Sequence, residues 1–149
     1  MTPQELADYT GKVLGQSEWL EIGQDRINQF ADATGDHQFI HVDPEAAASS
    51  PFGGTVAHGF LTVSSLAWLL ENSDMPRADN VQMGVNYGFN SLRFVSPVRS
   101  GKRIRSHWTL LDLVEKKPGQ WQQTLGVEVE IENEPKPALV CEWVTLFFV

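Results

Sequence analysis

Apolar residues recur at helical spacing in the first half of the chain. Residues 24–34 follow this spacing, and the pattern stops at Gly35, a residue type that commonly ends helices in the left-handed conformation. Residues 3–9 are typical of a short opening helix with Thr2 as its cap. Residues 44–49 form a second short helical segment. The first third of the chain is therefore predicted to be mainly helical.

The segment 57–70 contains no charged residue, and large apolar side chains occur on every side of a helix drawn through it. A helix without a polar side must be buried on most of its circumference. The segment is too short to span a bilayer as a helix. We therefore expect one helix here, enclosed by a curved sheet.

The second half of the chain is typical of β-structure. Five stretches are predicted strands, and the first of them lies in the first half of the chain: residues 17–22, 81–94, 102–114, 121–132 and 138–149. Gly84 and Gly88 predict a bend or bulge in the strand 81–94. Residues 116–119 are predicted to form a hairpin turn. The last strand is apolar on both faces, which favours a central position. The predicted class is α+β, with an antiparallel sheet around the uncharged helix.

Composition narrows the classes of function. A chain of 149 residues is long enough for one domain with its own core, and we expect residues 1–149 to form one. The net charge of −8 argues against a nucleic-acid partner. Cys141, the single cysteine, lies in an apolar strand and is predicted to be a buried thiol without a catalytic role. The polar, acidic first ten residues do not resemble a signal peptide. We expect a cytoplasmic protein without membrane association.

The segment 34–44, TGDHQFIHVDP, is the strongest candidate for chemistry. Asp36 and His41 stand five residues apart. Gly35 ends one predicted helix, and Asp43-Pro44 has the residue types that begin another. The segment is thus predicted to be a short irregular bridge, in which a carboxylate and an imidazole could contact one water molecule together.

A metal site is the alternative for the same region, which offers several ligand types: Asp36, His37, His41, Asp43 and His58. The spacing of His37 and His41 suits a metal only on a helix. Gly35 and Pro44 argue against helix between them. We therefore expect no metal.

The same residues carry a family resemblance. Asp36-x4-His41, then Asp43-Pro44, then His58-Gly59 opening the apolar helix, resembles the MaoC-like dehydratases, which include the R-specific (type 2) enoyl-CoA hydratases and a nodulation-protein-N-like branch. Residues 84–101 also resemble the nodulation-type members. The resemblance runs from about residue 17 to the C-terminus and implies the hot-dog fold, in which an antiparallel sheet wraps a central helix.

The resemblance implies reversible addition of water across a trans-2-enoyl thioester, giving an R-3-hydroxyacyl thioester. Asp36 and His41 match the family's catalytic pair, and Gly59 matches the glycine whose backbone N–H binds the thioester carbonyl. Gln38 and His58 are candidate substrate-binding residues. The implied partners are an acyl-CoA substrate and a second copy of the chain, without a cofactor.

Two departures from the family pattern concern the loop and the helix. Members commonly have Asn-Pro where this chain has Gln38-Phe39, and some place a serine where this chain has Ala67. A serine-assisted step is therefore not carried over, although Ser64 and Ser65 lie nearby.

Other functions fit the same residues. A dehydratase acting on acyl carrier protein and a thioesterase of the same fold are the enzymatic alternatives. A non-catalytic acyl-thioester-binding or signalling module is the alternative from another class. Six basic residues could balance nearby acids on a solvated sheet surface, or some of them could contact coenzyme A phosphates: Arg77, Arg93, Arg99, Lys102, Arg103 and Arg105.

Overall fold

One antiparallel sheet dominates the computed structural model, which describes residues 1–149. Its six strands are β1 (Val13–Gln16), β2 (Leu20–Ile22), β3 (Met83–Phe94), β4 (Lys102–Lys117), β5 (Gln120–Ile131) and β6 (Leu139–Phe148). The strand order is β1-β4-β5-β6-β3, and β2 also pairs with β4. The α+β prediction agrees with this architecture, and β6 is central as its two apolar faces indicated.

Six short helices accompany the sheet. They are α1 (Pro3–Ala7), α2 (Gln24–Thr34), α3 (Phe39–Val42), α4 (Pro44–Ala48), α5 (Gly59–Ser64) and α6 (Leu66–Glu71). None is long and apolar enough to cross a membrane. Leu61, Leu66 and Leu69 belong to the same buried cluster as Trp108 and Leu125 of the sheet, so α5 and α6 pack against one face of it.

The predicted helix boundaries follow the capping residues. Thr2 accepts a hydrogen bond from the backbone N–H of Glu5, whose carboxylate in turn accepts from the backbone N–H of Thr2. Gly35 ends α2 with a φ of 79°. Asp43 caps α4 by accepting from the N–H of Ala46. These capping residues therefore set the end of α2 and the start of α4, and so define the two ends of the segment between them.

The uncharged segment differs from its prediction in two ways. It forms two consecutive helices, α5 and α6, that meet at Ser65, whose hydroxyl donates to the carbonyl of Leu61. It is also not buried all round, because Phe60 is 68% exposed and Trp68 is 38% exposed. One face packs on the sheet, and much of the other is exposed within this chain.

Two further local predictions were incomplete, and a third was confirmed. The predicted strand 17–22 is shorter, since only β2 (Leu20–Ile22) is extended, and β1 (Val13–Gln16) was not predicted. The segment 34–44 is not wholly irregular, because α3 forms one helical turn in which Asp43 N–H donates to the carbonyl of Phe39. The predicted bend in β3 is present as register shifts between Asn86 and Gly88 and between Phe89 and Ser91.

The Cys141 thiol is expected to be unreactive in the folded protein. It is 6% exposed, and burial raises its pKa to about 11. Because thiol reagents attack the thiolate, native protein at pH 8 should react with Ellman's reagent at least about a hundredfold more slowly than unfolded protein. Equal rates with and without guanidinium chloride would contradict the burial, and Cys141→Ala controls for background colour.

Candidate functional site

The loop after α2 presents Asp36 to solvent. The left-handed Gly35 turns the chain out of the helix, and the next residue, Asp36, is exposed. One carboxylate oxygen, Oδ1, accepts from the backbone N–H of Gln38 at 3.3 Å. The carboxylate is thus directed by a local turn while keeping room for a second partner.

His41 is held in one orientation by the backbone. It lies in α3, is 7% exposed, and its Nδ1 is 2.7 Å from the carbonyl oxygen of Val56. A carbonyl only accepts, so Nδ1 carries the proton, and Nε2 of the neutral ring is free to accept. The backbone N–H of Val56 in turn donates to the carbonyl of Ile40 at 2.9 Å. This reciprocal pair fixes the segment before α5 against α3.

His58 joins the two predicted catalytic residues. Its Nε2 donates to the backbone carbonyl of Asp36 at 2.9 Å. Its ring stacks on that of His41, with centroids 3.9 Å apart and an interplanar angle of 23°. His58 is 2% exposed, and its other nitrogen, Nδ1, is buried without a partner. These contacts connect His58 to the loop, and its predicted contact with substrate stays a prediction.

One atom each from Asp36, His41 and His58 lies within 4.8 Å of the others. A water molecule that makes two hydrogen bonds of ordinary length joins atoms separated by about 4.6 Å. This separation is in the range of two groups that bind one water molecule, and the shared water stays a prediction. The same three groups also form a donor set that could bind a small cation.

A cavity of about 380 Å³ lies beside this group. His41 and Gly59 both line it, together with the aromatic rings of Phe60 and Phe94. Gly59 is the first residue of α5, so its N–H has no partner within the helix. A side chain at this position would meet the ring of Phe94, since an added Cβ would lie 2.8 Å from its Cε1. Glycine therefore lets the Phe94 ring pack closely against the start of α5, next to a free backbone donor.

Of the predicted site residues, only His41 and Gly59 line the cavity, and Asp36, Gln38 and His58 do not. The Gln38 side chain is exposed and is not among the residues that line the cavity. His37 forms an exposed ion pair with Asp32 at 2.8 Å, so the alternative metal pair of His37 and His41 is not brought together.

Two residues that were not predicted also support His41. Gln24, at the start of α2, donates from Nε2 to the His41 carbonyl at 2.7 Å and accepts at Oε1 from the Thr55 hydroxyl at 2.6 Å. The amide thus joins α2, α3 and the segment before α5. No local pattern indicates this role, because the three partners are far apart in sequence.

Most of the six basic residues are already paired with carboxylates: Arg77 with Glu71, Lys102 with Glu134, Arg103 with Glu132 and Arg105 with Glu130. The hydrogen bond from Arg103 lowers the pKa of the Glu132 carboxyl. Arg99 instead donates to the carbonyl of Phe52, which lines the cavity. Four of the six basic residues therefore balance nearby acidic side chains, as one of the two interpretations predicted.

Comparison with known proteins identifies the family. A family model described as a MaoC like domain matches residues 5–133. The chain belongs to the MaoC-like dehydratase family. It is 48% identical over 143 residues to Nodulation protein N of Rhizobium meliloti, covering 95% of this chain and 88% of that protein. It is 46% identical over 138 residues to 3-hydroxyacyl-thioester dehydratase Z of Mycobacterium tuberculosis, covering 93% and 90% of the two chains.

Solved structures agree on the architecture. A MaoC-like dehydratase from Rhodospirillum rubrum superposes with a TM-score of 0.79 at 24% identity, covering 99% of this chain and 97% of that one. The (R)-hydratase from A. caviae involved in PHA biosynthesis gives a TM-score of 0.72 at 24% identity, with 90% and 95% covered. The expected hot-dog fold is confirmed, and so is the family resemblance.

The contact between His58 and Asp36 predicts a change in loop mobility. In His58→Ala the Asp36 carbonyl loses its donor, and the loss of one such hydrogen bond should raise amide exchange in residues 36–42 about two- to tenfold. Hydrogen exchange with mass spectrometry measures this, with His107→Ala on the outer sheet surface as the control. Unchanged exchange in the loop would contradict the supporting role of His58.

Proposed function

We propose that this protein is an R-specific enoyl-CoA hydratase, or 3-hydroxyacyl-CoA dehydratase, that reversibly adds water to trans-2-enoyl thioesters. The observation that carries the proposal is the closeness of the Asp36 carboxylate to the His41 ring, which shares one cavity wall with the free Gly59 N–H. Membership of a dehydratase family and the similarity to a 3-hydroxyacyl-thioester dehydratase support the same reaction class. The whole chain is proposed to act as one MaoC-like unit in the cytoplasm.

Hydration requires two proton movements and one site for negative charge. A water held between Asp36 and Nε2 of His41 loses a proton to this pair while its oxygen bonds to C3 of the substrate. The C2–C3 double bond supplies the electrons, which move onto the thioester oxygen. A proton returned by the pair to C2 then restores the thioester. Both proton movements thus occur on one face of the substrate.

The oxyanion requirement falls to Gly59. Its backbone N–H is the first free donor of α5 and lies in the cavity wall. A donor held in place before the reaction stabilises developing charge without having to reorganise. Glycine is needed at this position because a side chain would collide with the ring of Phe94, which lines the same cavity.

The remaining candidate residues take smaller roles. His58 positions the loop through the Asp36 carbonyl, and Gln38, which is exposed, contacts the part of the substrate nearest the opening.

Arg93 and Arg99 form no ion pair with a carboxylate, unlike the other four basic residues of the predicted set. They are therefore the preferred candidates for the coenzyme A phosphates.

A homodimer is part of the proposal. β3 is an edge strand with a free side, and its exposed apolar residues include Tyr87, which is 68% exposed, and Phe94, which is 50% exposed. Unpaired strand edges and exposed apolar side chains are where a second chain binds. A partner placed along β3 would also cover the exposed side of α5 and α6.

The catalytic pair has a matched control within the chain. Asp36→Asn and His41→Ala should each lower kcat with crotonyl-CoA by about 10²–10⁴-fold, because each removes a proton-transfer group. Asp32 and His37 have the same residue types and the same five-residue spacing but lie on the exposed surface. Asp32→Asn and His37→Ala should therefore keep normal activity. A near-normal rate in either catalytic variant would remove that residue from the mechanism.

One assay separates the competing activities. Loss of the enoyl-thioester absorbance without release of free thiol identifies hydration, whereas thiol release identifies a thioesterase. Binding of crotonyl-CoA without either change would indicate a binding module, and turnover only with the acyl-carrier-protein thioester would indicate the carrier-dependent dehydratase.

The activity is expected to persist after EDTA treatment. Its loss would show that the group of Asp36, His41 and His58 binds a cation.

The dimer proposal is tested by mass in solution. Light scattering coupled to size exclusion should give twice the chain mass of 16.6 kDa. Tyr87→Asp should weaken association at least about tenfold, because it buries a charge at the proposed interface. Val13, on the opposite edge strand, is 74% exposed and provides the control Val13→Asp. A monomer, or equal effects of the two variants, would overturn this interface.

A further inference from the structure

A second cavity, of about 480 Å³, lies between α6 and the strands β3, β5 and β6. None of its lining residues lines the cavity beside His41. Its wall is mostly apolar, with Leu70 and Met75 on the helical side and Phe147 on the sheet. Ala67 of α6 also faces it. The wall also carries the charged residues Glu71 and Arg77, which pair with each other, and a polar strip of the sheet. The space is large enough for several carbon atoms of a ligand.

That strip is a polar row of three residues, Asn86, Thr145 and Gln123. The register pairs Asn86 of β3 with Thr145 of β6, and Thr145 with Gln123 of β5. Directly paired residues in antiparallel strands place their side chains on the same face, and all three line the cavity. The polar row therefore crosses three neighbouring strands of the cavity wall, from the exposed Asn86 at the sheet edge to the buried Gln123.

Gln123 is the residue of the row that most needs a partner. It is 6% exposed, and its side-chain amide makes no hydrogen bond within the chain. Asn86 differs, because Oδ1 accepts from Nε1 of Trp143 at 3.1 Å. Because the indole N–H of Trp143 can only donate, the Asn86 atom that it contacts is the oxygen, and the NH₂ group of Asn86 remains free. The row thus offers the cavity an unused amide from Gln123 and an unused donor from Asn86.

The physical consequence concerns what can fill the cavity. A plain alkyl chain would expel water from the row and leave the Gln123 amide buried without a partner, which is unfavourable. A hydroxyl or carbonyl at the same depth would replace the water and satisfy the amide. Because sites built to hydrogen-bond a ligand group discriminate against ligands that lack it, the row acts against unsubstituted chains.

We propose that the polar row makes this protein selective for acyl groups that carry a hydroxyl or carbonyl in their distal part. This inference rests on the proposed function, because it assigns the second cavity to the acyl end of the thioester substrate. The cavity lies along α6, which continues α5 from Gly59. Gly59 and Ala67 are separated by about 12 Å of helix at the usual rise per residue. A chain held at its thioester by Gly59 would have to extend along the helices to reach the row.

Binding measurements test the selectivity without requiring turnover. Isothermal titration of the intact protein would compare saturated acyl-CoAs with their ω-hydroxy counterparts, in pairs of six, eight, ten and twelve carbons. At the length that reaches the row, the hydroxylated thioester should bind at least about tenfold more tightly. Gln123→Met keeps the side-chain volume but removes the amide, and should abolish the preference or reverse it. Gln122→Met, on the other face of β5, should leave the preference unchanged.

The outcomes distinguish this inference from the proposed function. Equal affinities at every length, no binding of either series, or a preference that survives Gln123→Met would overturn the inference. Hydration of crotonyl-CoA, whose short chain carries no distal group, would then show that the proposed reaction stands alone. Conversely, a preference that depends on Gln123 in a protein that hydrates no enoyl thioester would support the selectivity and reject the reaction.

Discussion

Two stacked imidazoles connect the loop, the short helix α3 and the start of α5. His41 and His58 each use one ring nitrogen to donate to a backbone carbonyl, that of Val56 for the first and that of Asp36 for the second. Both rings are almost fully buried, so each bond is formed where an unpaired donor would be costly. The position of the Asp36 carboxylate, the free nitrogen of His41 and the location of Gly59 all depend on this arrangement.

The surrounding structure limits how far this group can move. Gly35 and Asp43 set the two ends of the loop through their caps, and Gln24 joins the carbonyl of His41 to Thr55. These contacts come from three different parts of the chain. A site whose supporting residues are themselves hydrogen-bonded can hold a water molecule in one place, which is the condition for catalysis through orientation. The same preorganisation would also serve a binding module, so only turnover separates the two classes.

Local chemistry made much of the fold predictable. α2 begins and ends as its apolar spacing and Gly35 indicated, and β5 follows the alternation of its side chains. The spacing of Asp36 and His41 identified the pair that the structure brings together. These features depend on neighbours within a few residues, which a sequence displays directly.

Other features depend on distant contacts and were missed or altered. The role of His58 follows from a bond to a carbonyl 22 residues earlier, and β1 is held mainly by its pairing with β4. The uncharged helix was expected to be buried all round, yet Phe60 remains 68% exposed within one chain. The apolar pattern correctly indicated a helix that contacts the sheet, but it could not show whether a second chain covers the other side.

The stereochemical course of hydration tests the central claim most directly. If Asp36 and His41 act through one water on one face, crotonyl-CoA hydrated in D₂O should give R-3-hydroxybutyryl-CoA with deuterium and hydroxyl added to the same face. Proton coupling between C2 and C3 in the NMR spectrum measures this. Addition to opposite faces, an S product or a mixture at C2 would contradict a shared water between these two residues.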